Sequence, residues 1–133
     1  MNHTLDASAI LRYLDNEAGA DQVKKLFLDA YHQRTELYVN AVNWSEVIYT
    51  CIKRAGAAAK PKIQQLSASP ITLISVDDNM AWVAADMRLN FNLHLADAFA
   101  LATAATTHST LVTADYDFKQ SSVQHPISYL PKK

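Results

Sequence analysis

Glycine is scarce in this chain, with two in 133 residues. That scarcity excludes a flexible linker or a low-complexity protein. The phosphate-cradling Walker loop and the Gly-rich dinucleotide turn are absent with it. Cysteine is scarcer still. Cys51 stands alone, so no internal disulfide can form, and its place in a helical apolar stripe suits a core thiol in a reducing compartment. No apolar run reaches the length of a membrane span. The opening Met1-Asn2-His3-Thr4 lacks the basic and apolar regions of a signal peptide. The expectation is a soluble, cytoplasmic protein with no membrane association. Excess charge is missing too. A formal charge of −1 gives no general attraction to nucleic acid, so a nucleic-acid substrate would need a local basic patch. His3, His32, His94, His108 and His125 have no metal-ligand spacing, and no Ser-His-Asp arrangement stands in the right context.

What is present is a core. Half of the residues are hydrophobic, and the length suits one domain, residues 1–133. Short β-favouring runs alternate with helical patterns. The strands are expected at His3–Asp6, Leu37–Val39, Ile71–Ile74, Thr110–Thr113 and Ile127–Leu130. Between them, helices are expected over Ser8–Leu14, Ala20–His32, a segment opening at Asn43, a short one from Pro61 to Leu66, one capped by Asp77 or Asp78, and one beginning near Leu95. In the second helix Val23, Leu26, Phe27, Ala30 and Tyr31 share a face. In the third the inward stripe is Trp44, Val47, Ile48, Cys51 and Ile52, with Asn43 as its N-cap. In the fifth it is Met80, Val83, Ala84, Met87 and Phe91. The alternation predicts an α/β fold, a three-layer α/β/α sandwich on a parallel sheet.

The stretch Leu95-Ala96-Asp97-Ala98-Phe99-Ala100-Leu101-Ala102 stands out. It is small and apolar on nearly every side, which places a helix in a core, yet it carries a carboxylate in its first turn. Two readings of Asp97 are open. It serves the helix N-terminus, or it belongs to an acidic site completed from afar. Three other acids bear on the choice. Asp6 follows the first strand, Asp115 follows the fourth, and Glu46 lies near the start of the helix after the second. Glu46 has its own local reading, as the acidic end of a capping box with Asn43. In a parallel sheet of order 3-2-1-4-5 all four acids fall at the carboxyl edge, beside the point where strand order reverses and open α/β sheets bind ligands. Two carboxylates about 4 Å apart repel by about 4 kcal/mol at an effective dielectric near 20. A ring of them needs a cation or must take up protons. Oxygen-only donors favour Mg²⁺ or Mn²⁺ over zinc.

Four short motifs carry a resemblance. They are Leu5-Asp6-Ala7-Ser8-Ala9, Trp44-Ser45-Glu46-Val47, Leu95-Ala96-Asp97-Ala98 and Val112-Thr113-Ala114-Asp115-Tyr116-Asp117-Phe118. In order and spacing they resemble the acidic motifs of the PIN domain, over nearly the whole chain. The small size looks most like the toxin half of a VapBC toxin–antitoxin pair. The resemblance implies a Mg²⁺-dependent endoribonuclease, usually dimeric and silenced by a small antitoxin of the VapB type. It implies that Asp6, Glu46 and Asp97 are the core acids and Asp115 the fourth, with Asp117 close enough to compete. Metal would be held by Asp6, Asp97 and Asp115, with Glu46 on a metal-bound water or a second ion. Ser8 and Thr113 match polar positions that support the site, though strand-end and helix-start chemistry explains them equally. Ala114 departs from the family, where glycine or a polar residue is common.

The remaining candidates have plainer readings beside the sharp ones. Lys53, Arg54, Lys60 and Lys62 would hold RNA phosphates, or form a solvated face at a helix end. His94 would touch substrate, or is a loop histidine. Trp44 and Trp82 are assigned to the core rather than to base stacking. An alternative to the enzyme is a PIN-like protein-binding module whose acids are only helix caps. Because the second and third helices carry wide apolar faces, an exposed groove for an antitoxin helix and a dimer face are expected.

Overall fold

The computed structural model describes residues 1–133. Its elements in order are β1 (His3–Leu5), α1 (Ala7–Leu14), α2 (Ala20–Tyr31), β2 (Leu37–Asn40), α3 (Ala41–Ala55), α4 (Lys60–Ser67), β3 (Ile71–Ile74), α5 (Asp78–Phe91), α6 (Leu95–Thr106), β4 (Thr110–Thr113) and β5 (Ile127–Tyr129). Short 3₁₀ turns cover Gly56–Ala59 and Tyr116–Gln120. The five strands form one sheet in the order β3-β2-β1-β4-β5, and every pairing is parallel. This is the predicted α/β architecture. The chain adds β2 and β3 on one side of β1, then returns to add β4 and β5 on the other. The reversal therefore lies between β1 and β4, where Leu5 pairs with Val112.

Side chains alternate across the strands and feed two cores. In β4, Val112 packs among Leu5, Ile10, Val23, Phe27, Leu37, Val39, Val47 and Leu130, under α1, α2 and α3. Its neighbour Leu111 packs on the opposite face, with Met80, Ala84, Leu101 and Phe118 beneath α5 and α6. Period-two alternation in a sheet covered on both sides gives this division. Helix α6 is buried along Ala98, Ala100, Leu101, Ala102, Thr103 and Ala104. Its alanines let it lie against α5, α3, β1, β2 and β4 together. Polar backing comes from Thr4, whose hydroxyl meets that of Ser109 at 2.6 Å.

Several local expectations are corrected. Helix α3 opens at Ala41, and its N-cap is Asn40, whose side chain accepts the N–H of Asn43. Asn43 is therefore inside the first turn and buried, and Glu46 is in the second turn, so the Asn43–Glu46 capping box does not form. Strand-to-helix passage without a loop moved the start, because Asn40 ends β2 and caps α3 at once. The stripe of α3 is narrower than its apolar pattern: Val47 is buried, Trp44 and Cys51 pack against the core, and Ile52 is exposed. Cys51 is partly rather than fully buried. Tyr31 and Trp82, assigned inward, are 72 % and 69 % exposed. Both sit on faces that no other element covers. Of the two acids before α5, Asp77 is the cap.

Gly19 shows how tightly the C-terminal strand closes on the first core. It caps α2 with φ +90, and a Cβ there would stand 2.8 Å from Leu130 Cβ. Leu130 is fully buried and cannot yield. Gly56 also has positive φ, but faces open space. Gly19→Ala is expected to cost about 1–3 kcal/mol from overpacking in addition to the left-handed strain, and Gly56→Ala only the strain, of about 1–2 kcal/mol. Urea unfolding midpoints of the two variants check this; equal losses would contradict it.

Candidate functional site

Asp6 is the first acid past β1. It is buried, at 3 % exposure, and its burial is compensated by three donors. Oδ1 accepts the Ser8 hydroxyl at 2.6 Å and the Ala9 N–H at 2.9 Å. Oδ2 accepts the Thr113 hydroxyl at 2.5 Å. Asp6 is thus the N-cap of α1, and it is tied across the reversal point to the end of β4. Thr113 Oγ1 also accepts the Asp115 N–H at 2.9 Å, and Ser8 Oγ accepts the Ala114 N–H at 2.8 Å. Position 114 contributes through its backbone, so alanine serves there. Ser8 and Thr113 therefore both bind Asp6 and fix the turn that carries Asp115.

Asp115 caps the 3₁₀ turn, its Oδ1 accepting the Asp117 N–H at 2.9 Å. Asp97 stands differently. It is the third residue of α6, in the first turn, but the helix has no side-chain cap at His94. A carboxylate whose role were to meet free amides and the helix dipole would be stabilised in its charged form. Asp97 shows the opposite: its pKa is raised to about 7, by burial first, then by the charges of Asp115 and Asp6, a hydrogen bond with Asp115, and the charge of Asp117. Asp6 is raised as well, by burial foremost, with Asp115 adding and the three donors opposing. The fold thus brings Asp97 within reach of the charges of Asp6, Asp115 and Asp117, and Asp6 within reach of that of Asp115. Glu46 is exposed on α3.

No arginine or lysine neutralises these carboxylates. The ion pairs of the structure join Arg34 to Asp29, Arg54 to Asp15 and Lys133 to Glu17. No group of three His, Cys, Asp or Glu side chains is arranged to hold a metal ion by protein ligands alone. The donor set still fits one kind of ion. Mg²⁺ takes few carboxylates and keeps several waters, and none of these carboxyls has a cationic side chain in an ion pair with it.

The scaffold contains two residues whose part could not be read from the sequence. Asn43, 3 % exposed, accepts the Ala7 N–H at 3.0 Å and donates to the Ala96 carbonyl at 3.1 Å. One side chain therefore links the residue after Asp6 to the residue before Asp97. Asn40 holds Asn43 from the other side and donates to Thr103 Oγ1 at 3.0 Å. Asparagine at a helix start signals a cap, but its partners here are backbone groups of distant segments. Beside the acids, a cleft of about 430 Å³ is lined by Arg88, Asn92, His94, Asp97, Asp117 and Gln120 among others. His94 is exposed at its rim. The Lys53–Lys62 group lies elsewhere: Arg54 pairs with Asp15, Lys62 donates to Leu14 O, and Lys53 lies over the Tyr49 ring.

A proton-linked stability change follows. Unfolded, Asp97 titrates at the ordinary 3.8; folded, at about 7. Between those values the native state holds a proton that the unfolded chain has released, so stability is lost as pH rises across the window and levels off above it. Chelator-treated protein is expected to melt at lower temperature at pH 7 than at pH 5, and Asp97→Asn to flatten that slope. A wild-type melting temperature that rises across the window would contradict the arrangement.

Comparison with known proteins places the fold. The chain resembles the VapBC2 complex of Rickettsia felis bound to promoter DNA, with a TM-score of 0.78 at 14% identity over 98% of this chain and 100% of that one. It resembles a toxin–antitoxin complex from Klebsiella pneumoniae, with a TM-score of 0.75 at 19% identity over 95% of each chain. It also resembles VapC20 of Mycobacterium tuberculosis, a sarcin–ricin-loop-cleaving toxin, with a TM-score of 0.69 at 14% identity over 89% of this chain and 93% of that one. A search of curated protein sequences gives no match. The PIN domain model matches residues 4–123, and on that match, with the parallel order and the acids at the reversal point, the chain belongs to the PIN domain family.

Proposed function

We propose that this chain is a metal-dependent endoribonuclease and the VapC-type toxin of a toxin–antitoxin pair. The observation that carries the reading is the unneutralised convergence of Asp6, Asp97 and Asp115 at the carboxyl edge of the sheet, with Asp97 pushed to about 7. Family membership supports it, as does the likeness to toxin–antitoxin complexes. The alternative, a binding module whose acids are caps, has two of the acids in its favour, since Asp6 and Asp115 do cap. Asp97 favours the nuclease reading, since it makes no capping bond and burial and neighbouring carboxylates disfavour its anion.

In this reading Asp97 and Asp115, with Asp6, would hold Mg²⁺ or Mn²⁺, which would supply neutralising charge and an activated water for attack on the phosphodiester. The chain's own residues do the rest. Ser8, Thr113 and the Ala9 amide fix Asp6 in one rotamer. Asn43 fixes the spacing of α1 and α6. Asp97 would be ionised once the cation is bound, since an adjacent positive charge favours the carboxylate form. Glu46, exposed on α3, would act through a water or a second ion, and Asp117 lines the cleft from the outer side. The substrate is RNA.

The protein partner would be a small VapB-like antitoxin. A groove of about 410 Å³ between α1, α2 and α4, lined by Tyr13, Leu14, Phe27 and Leu66 with Lys24 and Lys62, fits an amphipathic helix. An antitoxin arginine directed at the acids would meet their missing charge. Tyr49 and Ile52 on α3, 60 % and 51 % exposed, leave an apolar face for a homodimer. No helix is long and apolar enough to cross a membrane, and we assign the protein to the cytoplasm.

The purified chain is expected to cut RNA with Mn²⁺ or Mg²⁺ and to stop in EDTA. Asp6→Asn and Asp97→Asn should each lower cleavage at least about a hundredfold, the scale on which removal of an electrostatic stabiliser acts, with circular dichroism unchanged. Cleavage indifferent to chelator, or a wild-type rate from either variant, would overturn the reading. Glu46→Gln is expected to have the smaller effect, because Glu46 is exposed on α3 and would act through a water or a second ion.

A further inference from the structure

A nuclease with a net charge of −1 and several carboxylates at its site must draw a polyanion to a place that repels it. Five of the twelve lysines and arginines are committed. Arg34, Arg54 and Lys133 are in ion pairs. Arg12 donates to the carbonyls of Ala18 and Pro131, and Lys62 to that of Leu14. Arg88 lines the cleft with Asp97 and Asp117, and two lysines share a pair of aromatic rings. Lys119 Nζ stands over the ring of Tyr116 at 4.8 Å and over that of Tyr129 at 4.6 Å. Lys132 Nζ stands over Tyr116 at 4.8 Å. The two rings stack on each other, 5.1 Å between centroids and 30° between planes. Neither lysine has a carboxylate partner.

The place of this stack is set by the sheet and by the site. Tyr116 directly follows Asp115, and Lys119 is on the same 3₁₀ turn. Tyr129 pairs in register with Thr113, the residue that binds Asp6. The Tyr116 hydroxyl donates to the Leu130 carbonyl at 2.7 Å, which ties the turn to the end of β5. Ring faces hold an ammonium group by their negative quadrupole and orient it without neutralising it. Two ammonium groups gathered on one ring repel, and a phosphate between them removes that repulsion.

Resting on the nuclease reading, we propose that Lys119 and Lys132, oriented by the Tyr116–Tyr129 stack, bind the backbone phosphates of a single-stranded RNA and lead it onto the acids. The platform reads no sequence, since phosphate contacts position a strand without specifying bases. It binds substrate and takes no part in the chemistry. The two rings are its second component: they hold the cations at the rim of the site instead of leaving them to sweep solvent.

The test uses the full chain and a fluorophore-labelled, mixed-sequence single-stranded RNA, titrated in EDTA over a range of salt and then cleaved with Mn²⁺. The Lys119→Gln/Lys132→Gln variant is expected to bind at least tenfold more weakly and to lose about 1.4 from the slope of log affinity against log salt, at about 0.7 for each phosphate contact on a single strand. Its KM should rise while kcat holds. Lys119→Arg/Lys132→Arg should restore binding, and Lys25→Gln, on α2, should leave it unchanged. If wild type cuts RNA and the double glutamine variant keeps its KM and salt slope, the platform is overturned and the nuclease stands. The same holds if that variant binds RNA normally but fails to bind a protein inhibitor of the enzyme. If wild type neither binds nor cuts RNA, the nuclease reading falls and the platform with it.

Discussion

Asp6 is the residue on which the rest of the arrangement depends. A carboxylate at 3 % exposure is costly unless donors surround it, and here Ser8, Ala9 and Thr113 supply them. Those bonds join the start of α1 to the end of β4 at the place where strand order reverses. They also aim the turn that bears Asp115, through Thr113 Oγ1 and Ser8 Oγ. The site is therefore assembled by satisfying one buried anion. Capping and function are not rivals at Asp6: the bond that caps α1 is one of those that hold the carboxyl in place.

Asp97 obeys the opposite rule. It receives burial and like charge, and no capping bond. The α6 helix can bring a carboxyl there because alanines on its other faces allow close packing, and the cost is met by the stability of the surrounding core. Asn43 sets the distance, spanning from Ala7 to Ala96. The site thus has a pinned acid and a strained one, and positive charge is what the strained one lacks. The lysines over Tyr116 and Tyr129 stand beside this deficit without filling it.

Much of this was legible in the sequence. The strand–helix alternation is strong because each β run is short and β-branched and each helix between has a clear face. The parallel order then follows, and so does the edge on which the acids gather. Asp97 was conspicuous because it interrupts the most apolar helix. What was not legible depended on partners far along the chain. Asn40 and Asn43 look like ordinary caps, and only the fold shows that Asn43 reaches two distant backbone groups. Trp82 and Tyr31 have the composition of core residues, but whether a face is covered depends on how many neighbours the sheet provides. The start of α3 was misplaced because no turn residue separates it from β2. Glu46 looked like the acidic end of a capping box, and a helix whose N-cap lies three residues earlier removes that reading.

The central claim is that the acids of this site repel one another until a dication joins them. Thermal melting of wild type and Asp97→Asn, each in EDTA and in excess Mg²⁺, tests it most directly. Removing one member of a repelling set should leave metal-free stability unchanged or raised. It should also reduce the gain that Mg²⁺ gives wild type by binding only the native state. If Asp97→Asn instead lowers the melting temperature equally in EDTA and in Mg²⁺, Asp97 serves only the helix, and the account of the site is wrong.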